Sequence, residues 1–420
     1  MKYHLISLGC PKNTVDSERM AWIMKQAGWS YSSDVQNSDL IILNTCAFIA
    51  PATEESLDYL SELIEWKSEA PPGKRKIVLT GCLPGRYKDD GSGGLEDIDL
   101  VTGPGEWRKL SAWLGRKLES EPSLLGSGIY RYLKIANGCS NNCAYCTIPS
   151  IRGKFIARTR DSIFRESDVL VSQGAREIGL VAQDSGNWNE SNSDLTKLAE
   201  TLARRHPSIW FRLYYLHPLH FPHKVIELFS KYSNIMPYID MPIQHVSSQV
   251  LRRMGRKYDT HLLERILKQI EDSKESIAVR YTVITGYPGE TDKDFEMLKN
   301  FLGRYESGRH IAAFSWFPEE GTLEYSRAKE KGDAISESVA ATRLAELSSI
   351  GDSLYAGWDE MLLNKKIRVL SQNKTEGHTI WDAPEVDAVV TFTEPVNAGE
   401  FIETQVLESS GAEIVAKPIY

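Results

Sequence analysis

Residues 138–146 read GCSNNCAYC and space Cys139, Cys143 and Cys146 as CxxxCxxC. Three thiolates this close in sequence can hold one cubane iron–sulfur cluster from a single loop. Three ligands for four irons leave one iron free to bind a substrate or cofactor. A structural zinc site needs a fourth Cys or His, and no histidine lies near this loop. The spacing therefore favours a catalytic [4Fe–4S] cluster over the alternatives, a zinc knuckle or a chance clustering of cysteines.

From about residue 130 onward, strand patterns alternate with helical patterns, and the CxxxCxxC loop comes just after the first of these strands. Helical patterns at 195–204 and 262–271 lie between apolar runs. The alternation predicts about six βα units, a partial parallel barrel rather than a closed one of eight units. The alternative is an ordinary α/β scaffold without a cluster. The strands are predicted at 132–136, 177–182, 210–215, 238–241, 278–285 and 311–317.

The other three cysteines, Cys10, Cys46 and Cys82, each follow a short apolar run, and a helical pattern follows each of them. Such alternation predicts a parallel α/β sheet. Ligand sites in such sheets lie at the carboxyl ends of the strands. We therefore expect the three thiols to converge on a second cluster, although 36 residues separate each from the next. The alternative is three buried core cysteines.

These motifs resemble those of the radical S-adenosylmethionine (SAM) methylthiotransferases over almost the whole chain. Residues 7–18, SLGCPKNTVDSE, resemble the opening motif of that family. Residues 44–46 (NTC) and 80–82 (TGC) resemble its next two cysteine motifs, and residues 134–139 (KIANGC) resemble its radical SAM loop. The PKN after Cys10 resembles the branch that acts on a ribosomal protein (RimO type), as do 181–184 (VAQD), 240–245 (DMPIQH) and 382–387 (DAPEVD).

Two segments depart from the family pattern. Ser185-Gly186 stands where the family has paired threonines, and Pro84-Gly85 stands where it often has Ala-Gln. These departures concern fine substrate specificity and leave the expected chemistry unchanged.

The resemblance implies two [4Fe–4S] clusters, SAM, and insertion of a methylthio group at the β-carbon of an aspartate in small-subunit ribosomal protein 12. It also implies an electron donor such as flavodoxin or ferredoxin. The second cluster, on Cys10, Cys46 and Cys82, would present or donate the sulfur. Two alternatives stay open: a tRNA adenosine methylthiotransferase (MiaB type) and a non-catalytic iron–sulfur carrier.

Five residues at predicted strand ends or turns are candidates to contact SAM. Arginines can pair with its carboxylate, and glycines allow close approach, although each residue could instead be a surface or turn residue. Lys12 and Arg86 are candidates to position an acidic substrate side chain, or are solvated charges. His217 and His220 are predicted in a loop at the barrel mouth rather than in a metal site. The SAM candidates are Gln183, Asp184, Arg212, Arg280 and Gly286.

Three units are predicted: an N-terminal α/β unit at 1–120, a radical SAM core at 128–355 and a small antiparallel β-barrel at 358–420. A linker is predicted at 120–128 and a loop at 91–94. The last unit shows short strand patterns at 366–371, 386–392, 400–407 and 413–417, which predict a barrel. It resembles the TRAM module of the same family.

The charge and hydropathy of the chain indicate which kinds of partner and which cellular location to expect. From residue 358 onward, five Lys and Arg face eleven Asp and Glu, a net charge of −6 within the −8 of the chain. An acidic barrel suits a basic protein better than RNA, so RNA contact is not expected but stays open; the alternative is a solvated face. Neither a membrane span nor a signal peptide is expected. This predicts a cytoplasmic protein, in which cysteines stay reduced.

Overall fold

The computed structural model describes residues 1–87, 96–118 and 123–419. The predicted loop at 91–94 lies outside these residues, and the predicted linker at 120–128 lies partly outside them.

The N-terminal unit is a parallel five-stranded sheet of order β2-β1-β3-β4-β5. Its central strand is buried along its whole length, because helices cover both faces of a parallel sheet. This confirms the predicted α/β fold. The elements are β1 (Lys2–Ser7), α1 (Pro11–Gln26), β2 (Ser30–Tyr31), β3 (Leu40–Thr45), α2 (Ala50–Ser68), β4 (Lys76–Gly81), α3 (Cys82–Arg86), β5 (Leu100–Val101) and α4 (Trp107–Trp113).

The middle unit contains the six predicted parallel strands. They form two three-stranded sheets, β6-β9-β12 and β13-β14-β15, which a parallel bridge between Phe211 and Ile235 joins. The partial barrel is thus confirmed, with strand bounds that differ from the predicted ones by up to three residues. The strands are β6 (Tyr130–Lys134), β7 (Ala136–Asn137), β8 (Ile156–Ala157), β9 (Glu177–Val181), β10 (Asn189–Glu190), β11 (Ser193–Asp194), β12 (Trp210–Leu213), β13 (Tyr238–Gln244), β14 (Ala278–Thr285) and β15 (Gly308–Ser315).

Amphipathic helices surround these strands and close the core. In α10, Leu263, Ile266, Leu267 and Ile270 are buried at helical spacing, and the Asp259 side chain caps the first turn. Each such side chain contributes about 1.5–3 kcal/mol through burial. The helices are α5 (Ile148–Arg152), α6 (Arg160–Ser172), α7 (Leu195–Arg205), α8 (Val225–Lys231), α9 (Ser248–Arg253), α10 (Thr260–Glu271), α11 (Asp292–Leu302), α12 (Leu323–Lys331) and α13 (Glu337–Leu362).

The C-terminal unit is a closed barrel of order β16-β17-β18-β20-β19. Its strands are β16 (Lys366–Ser371), β17 (Glu376–Thr379), β18 (Val389–Phe392), β19 (Phe401–Ser410) and β20 (Glu413–Pro418). Neighbouring strands run antiparallel except β18 and β20, which are parallel. The continuous helix α13 leads into this barrel across positions 355–358, where the second and third predicted units meet. No helix in the described ranges has both the length and the apolar character of a bilayer crossing.

Buried ion pairs attach the C-terminal barrel to the amino-terminal ends of the middle strands. Arg212 donates to Glu177 (2.7 Å) and to the carbonyls of Thr379 and Ile380. Glu177 also lies 2.7 Å from His378. Arg309 pairs with Asp382 (2.8 Å), and Arg280 pairs with Asp387.

The predicted SAM contacts of Arg212 and Arg280 are therefore wrong. Both side chains point to the end of the barrel that receives the C-terminal unit, where a buried guanidinium finds carboxylate and carbonyl acceptors. The same pairs change the charge argument. Asp382 and Asp387 are neutralised inside the molecule, so nine acidic and five basic residues remain for the outside of the C-terminal unit.

Replacing Arg212 by leucine is expected to destabilise the protein by about 3–5 kcal/mol, because Glu177 would stay buried without its cation. Both side chains are 0% exposed. The matched control is Arg205→Leu, whose ion pair with Asp168 is 44% and 42% exposed and should contribute less than about 1 kcal/mol. Guanidinium unfolding curves measure both changes. Equal effects of the two substitutions would contradict the interpretation.

Candidate active site at the mouth of the barrel

Three loops bring Cys10, Cys46 and Cys82 to one edge of the N-terminal sheet. Cys10 precedes α1, Cys46 follows β3, and Cys82 opens α3. The Asn13 side-chain amide donates to the carbonyls of Leu8 (2.8 Å) and Thr45 (2.9 Å) and so ties two of these loops together. The predicted convergence of the strand ends is therefore present.

Glycine is required beside this set. Gly9 has φ +87°, and a Cβ built on it would lie 2.7 Å from the Cβ of Cys46. A larger residue there would push the first loop away from the second. The close approach of the two loops thus depends on a residue without a side chain.

Cations near these thiols favour the thiolate form that binds metals, whereas burial opposes it. Burial alone would raise the pKa of Cys10, but Lys12 and Arg152 outweigh it and leave that pKa lowered. Burial raises the pKa of Cys46 to about 11 and also raises the pKa of Cys82. Arg152 Nη2 lies 3.7 Å from Cys82 Sγ, and the charge of Arg152 acts to lower the pKa of all three thiols.

The CxxxCxxC loop is held by backbone hydrogen bonds on both sides. Cys139 N–H donates to the Gly153 carbonyl (3.0 Å), Ala144 N–H donates to Met254 (2.9 Å), and the Ala144 carbonyl accepts from Glu324 (2.8 Å). Burial, followed by the neighbouring Cys143, raises the pKa of Cys146 to about 12. A metal is therefore needed to keep this thiol deprotonated.

The spacing of the thiols distinguishes the two kinds of metal site. Zn–S bonds of about 2.3 Å put tetrahedral sulfur ligands roughly 4 Å apart. Among the described residues, only Asp184, His217 and His220 bring three Cys, His or carboxylate ligand atoms within 4.8 Å of one another. Neither cysteine set is that compact. A cubane, whose cysteine ligands bind different irons, fits the wider spacing better than a single zinc ion does.

Arg152 connects the two cysteine sets. It ends α5, six residues after Cys146, and its guanidinium donates to the side chains of Asn13 and Asp16 in α1. It also donates to Asn137 (3.4 Å), just before the CxxxCxxC loop, and contacts Cys82. The two sets therefore face one another across the Arg152 guanidinium.

The rim of the barrel beside the CxxxCxxC loop contains polar atoms without partners. Asp184 Oδ2 accepts from Asn141 Nδ2 (2.8 Å), which lies within the loop. Both amide atoms of Gln183, Asp184 Oδ1 and Ser185 Oγ are buried and have no hydrogen-bond partner among the described residues. Each such atom costs about 1–3 kcal/mol. A polar ligand that bonds to them fits this rim, which supports the predicted cofactor contacts of Gln183 and Asp184.

The predicted loop with His217 and His220 lies on the same rim. His220 Nδ1 lies 2.7 Å from Asp184 Oδ2, which raises the pKa of His220. Burial, then Arg256, lowers the pKa of His217 to about 3, so this ring is neutral. The two histidines thus act with Asp184 as one polar group of the barrel mouth.

Arg256 is a candidate that the sequence reasoning missed. It is 8% exposed, its Nη2 donates to the Tyr145 hydroxyl (2.6 Å), and its Nε and Nη1 are buried without a partner among the described residues. Gly255 has φ +74°, and a Cβ on it would lie 2.6 Å from the Asn142 carbonyl oxygen. The signal in the sequence is a glycine beside several arginines, but it does not show which arginine side chain points into the site.

The other candidates lie in different surroundings. Gly286 has φ +68°, and a Cβ on it would lie 2.8 Å from Ala340 in α13, so helix packing accounts for this glycine; its contact with SAM stays a prediction. Arg86 pairs with Glu319 (2.7 Å) and holds the N-terminal unit against the middle unit. Lys12 is buried, with its ammonium over the ring of Tyr215.

Comparison with known families gives two matches along the chain. Residues 2–103 match the uncharacterized protein family UPF0004, and residues 133–302 match the radical SAM superfamily. Among curated proteins, the ribosomal protein uS12 methylthiotransferase RimO of Carboxydothermus hydrogenoformans is 36% identical, over 93% of this chain and 92% of that protein. The protein of the same name from Aquifex aeolicus is 33% identical, over 99% and 97%.

Solved structures are similar in fold. The radical SAM methyltransferase TsrM from Kitasatospora setae matches with a TM-score of 0.57 at 14% identity, over 79% of this chain and 78% of that one. The cobalamin-dependent SAM radical enzyme OxsB matches with a TM-score of 0.53 at 13% identity, over 79% of this chain and 55% of that one. At these identities the likeness concerns the fold alone.

Replacing Gly9 by alanine is expected to reduce the iron that the reconstituted protein binds, because the new Cβ displaces Cys46. Gly28→Ala is the matched control. Gly28 has φ +82°, and a Cβ added to it would meet no atom within 4 Å, so both variants carry a similar left-handed strain of roughly 1–2 kcal/mol. Iron and sulfide assays compare them. Equal iron in both variants would contradict a close-packed cysteine set.

Proposed function

The chain belongs to the RimO family of ribosomal protein uS12 methylthiotransferases, and from this premise we propose that it inserts a methylthio group at the β-carbon of an aspartate in small-subunit ribosomal protein 12. The observation that carries the proposal is the meeting of two cysteine sets across Arg152. A single set would suffice for cleavage of SAM. A second set facing it suits an enzyme that also inserts sulfur.

The residues present fit the cofactors that this activity needs. Cys139, Cys143 and Cys146 would hold one [4Fe–4S] cluster, and Cys10, Cys46 and Cys82 the other. Bound there, the clusters and SAM supply radical activation of a C–H bond, the sulfur and the methyl group. The protein itself binds and orients these groups and excludes water from them.

SAM would lie on the rim where polar atoms lack partners. Either free donor of Arg256, Nε or Nη1, can form a charge-assisted hydrogen bond with a carboxylate. The amide of Gln183 offers both a donor and an acceptor, and Asp184 Oδ1 offers an acceptor. Tyr145 and Tyr287 pack edge to face beside Arg256 and limit the access of water.

Further parts of the proposal concern partners and location. A flavodoxin or ferredoxin would supply electrons, and the protein would act in the cytoplasm, where ribosomal proteins are made. The acidic outside of the C-terminal barrel suits a basic ribosomal protein better than tRNA.

The proposal is tested with reduced, iron-reconstituted protein, SAM and purified small-subunit ribosomal protein 12. Mass spectrometry should detect a methylthio group on an aspartate of that protein. Modification of tRNA without modification of the ribosomal protein would overturn the choice of substrate. Absence of 5′-deoxyadenosine would favour the iron–sulfur carrier instead.

Substituting one cysteine from each set should separate the two roles. Cys139→Ser is expected to halve the iron content and to abolish SAM cleavage, because the first cluster would lose a ligand. Cys46→Ser should also halve the iron content but leave SAM cleavage measurable while methylthiolation stops. Iron assays, 5′-deoxyadenosine quantification and mass spectrometry test this. Loss of SAM cleavage in Cys46→Ser, with the other cluster intact, would contradict the division of roles.

Replacing Arg256 by glutamine is expected to weaken SAM binding by about 10–100-fold, because a buried charge-assisted contact is lost. Arg252→Gln is the matched control, since Arg252 is exposed on the neighbouring α9. Anaerobic equilibrium binding of SAM to the reconstituted variants gives the ratio. Similar affinities in Arg256→Gln and Arg252→Gln would exclude Arg256 as the carboxylate contact.

A further inference from the structure

The cations around the two cysteine sets fall into two classes. Arg86 pairs with Glu319, and Lys134 and Arg152 both pair with Asp16. Lys12 and Arg256 make no ion pair with a carboxylate in the described parts of the chain, although Lys12 also lowers the pKa of the neighbouring Cys10 thiol. Burying a charge without an opposite charge is unfavourable. Two buried cations without carboxylate partners therefore indicate two positions where anions bind.

We propose that Lys12 binds the carboxylate of the substrate aspartate and makes the site selective for an acidic side chain. This inference rests on the proposed function and names the residue that recognises its substrate. SAM has one carboxylate, which is proposed to bind Arg256. The carboxylate that binds Lys12 must therefore come from the substrate.

Lys12 lies on the path between the two cysteine sets. It is two residues from Cys10 in the first turn of α1, is 6% exposed, and its Nζ lies 3.5 Å from the centroid of the Tyr215 ring. The Tyr215 carbonyl accepts from Ser185 N–H (3.0 Å). The residue before Ser185, Asp184, accepts from Asn141 in the CxxxCxxC loop. A carboxylate on Lys12 would thus lie between the sites of radical formation and sulfur insertion.

The local structure fixes the ammonium in advance. Tyr215 has φ +58°, a backbone region that favours glycine. Asp240 Oδ2 holds this conformation by accepting from Tyr215 N–H (3.0 Å). The ring then lies under the ammonium and restrains it through a cation–π contact. Strained backbone of this kind is concentrated at functional sites, and here it orients the side chain that faces Lys12.

Recognition by charge predicts strong discrimination against neutral groups. An asparagine in place of the substrate aspartate would deprive the buried Lys12 ammonium of its carboxylate partner, and the affinity for that substrate should fall by about 30-fold or more. An adenosine base has no carboxylate, so the same feature disfavours a tRNA substrate.

The test measures the Kd of reconstituted protein for purified small-subunit ribosomal protein 12 and for its variant with asparagine at the modified aspartate. Wild-type protein should prefer the aspartate form by about 30-fold. Lys12→Gln should reduce this preference to within about threefold, and Lys12→Arg should restore most of it because the cation returns. Lys25→Gln, an exposed position of the same helix, should behave as wild type.

The outcomes separate this inference from the proposed function. If the wild-type protein does not methylthiolate the ribosomal protein, both fail. If it does, but binds the aspartate and asparagine forms equally, the inference alone is overturned without any change to the enzyme. A full aspartate preference in Lys12→Gln would overturn it as well.

Discussion

The guanidinium of Arg152 is the contact on which the two halves of the site depend. It belongs to the short helix directly after the CxxxCxxC loop, yet its acceptors lie in the first helix of the chain and beside Cys82. A buried cation is most stable when its donors are bonded, so this side chain helps to fix the distance between two units that are far apart in sequence. Together with the Arg86–Glu319 and Lys134–Asp16 pairs, this charge holds the two cysteine sets facing one another.

The two ends of the partial barrel use buried charge in opposite ways. At the amino-terminal ends of the strands, Arg212 and Arg309 form ion pairs with Glu177 and Asp382 and serve to attach the C-terminal barrel. At the carboxyl ends, Lys12 and Arg256 are buried without carboxylates in the described parts of the chain. Paired charges of this kind stabilise an interface, whereas unpaired ones are retained at a cost and point to a ligand. Whether a buried charge stabilises an interface or binds a ligand therefore depends on its partners in the structure and not on its residue type.

This distinction explains which parts of the molecule the sequence predicts. The six barrel strands and the common edge of Cys10, Cys46 and Cys82 follow from local periodicity and from the rule that parallel strands end at one edge. Arg212 was assigned to the wrong end, since an arginine on a barrel strand looks the same whether its partner is a cofactor or residues 379–380 of a distant loop. Strand β17 was not predicted because its four residues, Glu376–Thr379, carry no alternating apolar pattern. Arg256 was missed because its inward turn depends on the φ of Gly255.

The buried cations without carboxylate partners also have a thermodynamic role. A charge-assisted contact made to a preorganised, dry cation contributes about 1.5–3 kcal/mol, more than the same contact made by a mobile surface lysine. Burying the ammonium is unfavourable. During folding, the packing of the N-terminal sheet and the barrel rim offsets this energy. Binding of a carboxylate then needs no ordering of the Lys12 side chain, because the Tyr215 ring already holds it. Selectivity for an acidic side chain thus follows from a charge that the fold leaves without a carboxylate partner.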